Sequence, residues 1–385
     1  MSVRDNLDAN RVRVLEIGAI PYFKSTWPER TIYVSTDRSA APHDPSRDWF
    51  VLSPSGYGDI VRALRRAPPD MTVVHAGRHA AWSWQQLRQG LLNRNLLRGQ
   101  TSVLRGFAPW LPWMVGTEPL ALLDFDDPPV LAPHVMPLVR RAALIFKREL
   151  PPDRWRLLAP SAGAASPPPA FRDRARWAGL LDKVRPLPLG LPLGRAAQIP
   201  PLAAKAQDLF FAGGIDRNST LRTRGIQELL ALREAGFAID LPDQPVPPRE
   251  FLDRCAAAWL AWSPEGLGWD CFRHYEAAAC GTVPLMNVPS IERHAPLRSG
   301  VHGLFYDSAP GGLTAAFHRA IADRPRLLRM GAAARAHVLA SHTPEAICTY
   351  IVDSLAREIT ARRGLAARGS SVHADPGASN GSIAP

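Results

Sequence analysis

Lysine is almost missing from this chain: only Lys24, Lys147, Lys183 and Lys205 occur, so arginine carries nearly all of a formal net charge of +11. Arginine keeps its charge at physiological pH and offers a planar fork suited to carboxylates and phosphates. The basic residues are dispersed and no recognisable nucleic-acid module accompanies them, which argues against a DNA or RNA reader and leaves nucleotides or anionic lipid as partners. Cysteine is equally sparse. Four thiols, at positions 255, 271, 280 and 348, show neither C-x-x-C nor metal-ligand spacing, so a reducing compartment and no structural metal are expected. No apolar run approaches the roughly 18–20 residues that span a bilayer. The opening Met1-Ser-Val-Arg-Asp-Asn-Leu-Asp has no apolar leader. A cytoplasmic protein is expected, with peripheral contact at the inner face of a membrane left open. A dinucleotide fingerprint is also absent: Val14-Leu-Glu-Ile-Gly18 opens like a nucleotide-binding strand and turn, but Ala-Ile-Pro-Tyr-Phe follows where further glycines are needed.

What is present suits two α/β cores. The chain has 385 residues, 46% of them hydrophobic, more than one core usually holds. Short apolar runs at 12–17, 32–35, 49–52, 72–75, 120–125 and 142–146 read as strands, with helical patterns at 58–66 and 82–98 between several of them. Proline-rich stretches, among them Pro186-Leu-Pro-Leu-Gly-Leu-Pro-Leu-Gly194, mark a linker. The expected division is a first domain over 1–185, a linker over 186–205, a second domain over 206–345, a final helix over 346–363 and a disordered tail over 364–385.

The most informative segment runs from Ser263-Pro-Glu-Gly-Leu-Gly-Trp-Asp through Cys271-Phe-Arg-His-Tyr-Glu-Ala-Ala-Ala-Cys-Gly281 to Thr-Val-Pro-Leu-Met286. The apolar run at 258–262 reads as a buried parallel strand. Gly266 and Gly268 allow close backbone approach and positive φ, Asp270 suits the N-cap of a helix over 271–280, and Gly281 suits its αL terminator. On that helix Phe272, Tyr275 and Ala279 share a stripe expected to pack on the sheet, while Arg273 and Glu276 face the loop. A helix N-terminus beside Arg273 suits a diphosphate, and Glu276 can accept hydrogen bonds from ribose hydroxyls. The plain alternative is an i,i+3 surface ion pair between them. A second strand and Gly turn, Asp208-Leu-Phe-Phe-Ala-Gly-Gly-Ile-Asp-Arg217, precedes an arginine-rich helix start; Gly213, Gly214, Arg217, Arg222 and Arg224 can meet the same pyrophosphate.

With its Gly-rich loop preceding R-x-x-E-A-x-x-x-G-x-x-P, carried here by Gly266, Gly268, Asp270, Arg273, Glu276, Ala277, Gly281 and Pro284, the chain resembles the carboxyl-terminal domain of GT-B-type glycosyltransferases, the exostosin-like and related bacterial groups in particular. The resemblance implies two Rossmann-like domains facing a central crevice, a nucleotide-sugar donor held by the second and a glycan, lipid-linked or other hydroxyl acceptor held by the first. It implies a ribose-binding role for Glu276, phosphate or donor-sugar contacts for Arg273 and the 265–270 loop, and a final helix that returns to the first domain. No cofactor or metal is expected. In one respect the chain departs from the pattern. Where many retaining members carry a pair of glutamates with seven residues between them, counting back from Glu276 reaches Gly268, and the nearest acid is Glu265.

At the ends of two first-domain strands stand His75 and the group Asp124, Asp126 and Asp127; with Glu265, His75 and Asp126 are the candidate catalytic residues. Asp126 and Asp127 equally suit caps for the Pro128-Pro129 turn. Phe146-Lys-Arg-Glu-Leu150 resembles a recurrent segment of the bacterial exostosin-like relatives, and the tryptophan-bearing stretch 104–115 suits either core or an acceptor. Two other functions stay open: a nucleotide-sugar epimerase, and a non-catalytic sugar- or nucleotide-binding protein on the same scaffold.

Overall fold

The computed structural model describes residues 7–36, 43–52, 56–76, 119–132, 135–159, 174–215 and 219–371. Two parallel sheets organise them. The first contains β1 (Val14–Gly18), β2 (Thr31–Ser35), β3 (Trp49–Val51), β4 (Met71–His75), β5 (Leu120–Asp124), β6 (Leu144–Lys147) and β7 (Val184–Pro186), in the order β3-β2-β1-β4-β5-β6-β7. The second contains β8 (Gln207–Phe210), β9 (Ile239–Asp240), β10 (Ala258–Trp262), β11 (Val283–Asn287) and β12 (Leu304–Tyr306), in the order β12-β11-β10-β8-β9. Strands buried on both faces need apolar residues at nearly every position rather than in alternation. That is why β1 and β5 are wholly buried and legible as short hydrophobic runs.

Both strand orders reverse direction once, between β1 and β4 in the first sheet and between β8 and β10 in the second. At such a switch point the loops leaving the carboxyl ends of two adjacent strands diverge to opposite faces and open a crevice. His75 ends β4, and the two glycine-bearing segments leave β8 and β10.

Helices α1 (Tyr22–Thr26), α2 (Tyr57–Arg66), α3 (Met136–Arg141) and α4 (Arg174–Leu181) belong to the first sheet. The second carries α5 (Thr220–Glu234), α6 (Pro248–Ala257), α7 (Phe272–Ala279), α8 (Gly312–Ile321) and α9 (Arg324–Ser341). The last helix, α10 (Pro344–Ser371), crosses back: Ile347, Cys348, Ile351, Val352 and Leu355 are buried with Val14, Phe23, Val73 and Phe146 of the first domain. It continues to Ser371, past position 363 where the sequence suggests a tail, and the rest of that tail lies outside the described residues, as do the 82–98 helical pattern and the 104–115 stretch. Where α9 hands over to α10 the linker passes alongside: Leu191 N–H donates to the His342 carbonyl at 2.8 Å. Gly190, at φ +62°, has no room for a side chain, since a Cβ would stand 2.5 Å from that same carbonyl oxygen. No helix among the described residues is long and apolar enough to cross a membrane.

Several histidines gather at this junction. His337 and His342 each place Nε2 2.8 Å from the Ala295 carbonyl oxygen, and His294 stacks on Tyr350 with centroids 3.5 Å apart. Burial pulls the His342 pKa down to about 3. It pulls His294 to about 4, helped by the nearby positive charges of Arg357 and His337. Both folded values lie below the unfolded value of 6.5, so their contribution to stability is complete above pH 6.5 and is lost as pH falls from there toward 4. The melting temperature should therefore already drop between about pH 6.5 and 5, before most carboxylates titrate. His342→Gln should flatten that slope in a pH series of thermal melts.

Candidate donor site at the second switch point

The loop after β10 and the turn after β8 are joined by one side chain. Arg222, in the first turn of α5, is buried, donating through Nη1 to the Gly214 carbonyl at 3.0 Å and through Nε to the Glu265 carbonyl at 2.9 Å. Ser219 caps α5 by accepting from Arg222 N–H, which fixes where that helix starts and hence where its guanidinium lands. A Cβ on Gly266 would stand 2.8 Å from the same guanidinium.

Arg273 approaches from α7. Its Nε donates to the Ala212 carbonyl at 3.1 Å, its guanidinium lies over the Phe211 ring at 4.9 Å, and Gly213 leaves the space it occupies. Its Nη1 is buried without a hydrogen-bond partner. Neither Arg222 nor Arg273 pairs with a carboxylate among the described residues. Burial, with Arg273 close by, lowers the Arg222 pKa. Two cations held near one another without a counter-ion cost energy that a bound anion repays. Beside them a cavity of about 440 Å³ is lined by Ala212, Gly213, Gly214, Asp243, Gln244 and Phe251, among others. Arg217 lies outside the described residues.

Other site residues sit differently from the sequence expectation. Asp270 does not cap α7: Cys271 occupies the N-cap position, and Asp270 is buried, accepting from Leu189 N–H at 2.7 Å and from the Tyr275 hydroxyl at 2.7 Å. A tertiary partner from the linker has claimed the carboxylate. Gly266 and Gly268 are absent from the positive-φ glycines, so close approach alone explains them, and Gly268 packs against the Glu149 carboxylate. Gly281 does take φ +74°, and Gly281 and Thr282 N–H groups close the helix onto Ala278 and Ala277. Phe272, at the first position of α7, is 43% exposed rather than packed on the sheet, whereas Tyr275 and Ala279 of the same stripe are buried.

Glu276 forms no pair with Arg273. Arg195 of the linker meets its carboxylate at 2.9 Å, and burial, opposed by Arg195 and Arg273, raises its pKa. Arg195 carries no local signal in sequence; only the fold brings it to Glu276. Glu265 is fixed to the end of β11, its carboxylate accepting from Asn287 Nδ2 at 3.0 Å and its N–H donating to Asn287 Oδ1 at 2.9 Å.

On the first-domain side, His75 Nε2 lies 3.0 Å from Glu16 Oε1. Glu16, on β1, is fully buried and accepts from the N–H groups of Tyr22, Phe23 and Lys24 at 2.8–3.0 Å. Sequence reasoning missed Glu16 because a carboxylate inside an apolar strand announces itself only when the next helix start is seen to fold over it. Asp126 is half-buried; its N–H donates to Asp124 Oδ1 at 3.0 Å, and its carbonyl accepts from Lys147 at 2.9 Å. Asp124 pairs with Lys147 at 3.0 Å, and burial, against the pull of that lysine, pushes its pKa up to about 6. Asp127 pairs instead with Arg148 at 2.6 Å. Arg148 thus takes the Asp127 carboxylate that the sequence offered as a cap for the Pro128-Pro129 turn.

Residues 268–353 match the family model described as glycosyl transferase-like. Its two-sheet fold is of the GT-B type. A glycosyltransferase from Rickettsia africae ESF-5 shares the fold at TM-score 0.51 and 7% identity, over 91% of this chain and 99% of that one. The Anabaena Alr3699/HepE structure in complex with UDP shares it at TM-score 0.50 and 11% identity, over 92% and 100%. A sucrose-phosphate synthase from Thermosynechococcus elongatus aligns at 0.48 and 13% identity, over 92% and 100%. No curated relative matches the sequence. Arg222 is a cross-link between the two loops of this candidate site, so Arg222→Met should leave two carbonyls unpaired. A loss of about 1–3 kcal/mol is expected, seen as a melting temperature lower by a few degrees, together with faster amide exchange at 263–268 than in the wild type.

Proposed function

We propose that this protein is a glycosyltransferase that takes its sugar from a nucleoside diphosphate sugar bound at the second switch point and passes it to a hydroxyl acceptor held by the first domain. The observation that carries this reading is the pair Arg222 and Arg273, two guanidiniums without carboxylate partners at the glycine turn, one with an unsatisfied buried N–H. They and the Gly213-Gly214 backbone bear the charge that builds on the departing diphosphate, preorganised rather than recruited from solvent. Arginine, not a divalent cation, does that work in this scheme. Glu276, already oriented by Arg195, receives the ribose hydroxyls, and the 440 Å³ cavity beside Gly213 takes the base. Asp270 supports the loop from behind.

The acceptor proton goes to His75. With Nε2–H committed to Glu16, Nδ1 is left as the accepting nitrogen, the arrangement that makes an imidazole a useful general base. Asp126, half-buried and with its carboxylate unpaired among the described residues, binds an acceptor hydroxyl, and Glu265 stays a loop anchor. The acceptor is a glycan or a lipid-linked chain, met in the cytoplasm or at the inner face of a membrane.

A thermal-shift panel of nucleoside diphosphates and nucleotide sugars tests the donor half, with UDP and UDP-glucose first because the Anabaena relative is solved with UDP. One base should stabilise the protein selectively, and Glu276→Ala and Arg273→Ala should each abolish the shift; no shift with any member would overturn the donor assignment. With the donor identified, His75→Ala should keep the shift but lower turnover by about 10²–10⁴-fold.

A further inference from the structure

Three consecutive side chains at the end of β6 reach three different places. Lys147 turns back to β5, donating to Asp124 Oδ1 at 3.0 Å and to the Asp126 carbonyl at 2.9 Å. Arg148 spans the crevice: Nη1 donates to Asp127 Oδ1 at 2.6 Å, and Nη2 donates to the Asp270 carbonyl at 2.7 Å. Glu149 crosses fully into the second domain, accepting from Trp269 N–H through Oε2 at 2.9 Å and from Asp270 N–H through Oε1 at 3.0 Å. The next residue continues the strap, since the Leu150 carbonyl accepts from Glu292 N–H at 2.8 Å.

The receiving side is shaped for this carboxylate. Gly268 packs directly on it, so that any larger residue would collide with it. Trp269 is buried, with its indole N–H donating to the Asn287 carbonyl at 3.1 Å, and Asp270 is held from the other side by Leu189 and Tyr275. Glu149 itself is only 4% exposed. A buried carboxylate bonded to two adjacent amide groups fixes their direction, and these amides immediately precede the helix that carries Arg273 and Glu276.

We propose that Glu149, backed by Arg148, is a positioning residue of the first domain that holds the 268–270 turn of the second domain in the conformation the donor requires. The link to the donor rests on the function proposed above; the hold on the turn does not. The strap also ties that turn to Asp124, Asp126 and Asp127, so donor and acceptor sides share one set of hydrogen bonds. Burial raises the Glu149 pKa, which favours loss of the anionic hold at low pH before an ordinary glutamate would lose it.

The test compares wild type, Glu149→Gln and Arg148→Gln in the full chain, by hydrogen exchange and by titration with the nucleotide that stabilises the wild type. Glu149→Gln keeps the volume but turns an amide NH₂ toward one of two N–H donors. Exchange at 268–271 should then rise about tenfold or more with the melting temperature nearly kept, and nucleotide affinity should fall about tenfold. Arg148→Gln should raise exchange at the same turn while leaving the Glu149 contacts; it serves as the readout if Glu149→Gln does not fold. Unchanged exchange in both variants overturns the proposal. Faster exchange with wild-type nucleotide affinity overturns the link to the donor. If no nucleotide binds even the wild type, the function reading has failed instead, and exchange alone decides the hold.

Discussion

A buried arginine bonded only to carbonyl oxygens is the constraint on which the proposed donor crevice depends. Arg222 holds the Gly214 turn and the Glu265 loop together without spending a carboxylate on the charge. Had an acid been supplied, the loops would be equally tied, and the local field would be neutral. Leaving the cation uncompensated makes the crevice electrostatically incomplete, and Arg273 doubles the effect within the same few residues. Strong interactions between fixed charges in a partly dry site cost little further reorganisation when the ligand arrives.

The first domain solves the opposite problem. Glu16 is an anion inside a parallel sheet, an expensive placement unless every lone pair is used. Three N–H groups at the start of α1 and the His75 ring use them. Gly18 is needed beside it, because a Cβ there would stand 2.5 Å from the imidazole. Thus each switch point carries a buried charge satisfied mainly by backbone: an anion in the first domain and a cation in the second. The opposed signs suit the proposed reaction, which takes a proton on one side and releases a diphosphate on the other.

How much of this could be read from the residues follows from how local each signal is. The strands were legible because parallel, doubly covered strands must be apolar along their length, and all six runs picked out in the first half became strands. Gly281 was legible because an αL terminator depends only on its own helix. Asp270 was misread because an N-cap preference of roughly 1 kcal/mol yields to two tertiary hydrogen bonds. Phe272 was misread because helical periodicity says which residues share a stripe, not whether both ends of that stripe are covered. The partners Arg195 for Glu276 and Glu149 for Gly268 are separated from them by most of a domain in sequence, and no spacing rule reaches that far. Composition did carry one true hint, since a chain that has nearly dispensed with lysine places guanidinium groups at the points where forked donors span two acceptors.

Among the described residues, two of the fastenings between the domains differ in character. One is the junction where the linker and the α9–α10 turn run side by side, Leu191 bonded to His342 and α10 sunk into the first-domain core. Apolar burial of that kind is costly to undo and tolerates little sliding. The other is the Lys147-Arg148-Glu149 strap, made of directional polar bonds that can break and re-form singly. On the proposed function a donor enters between the halves, and of these two fastenings the second lies at the crevice. The apolar junction therefore sets which domains face each other, while the polar strap sets how the 268–270 turn is presented across the gap.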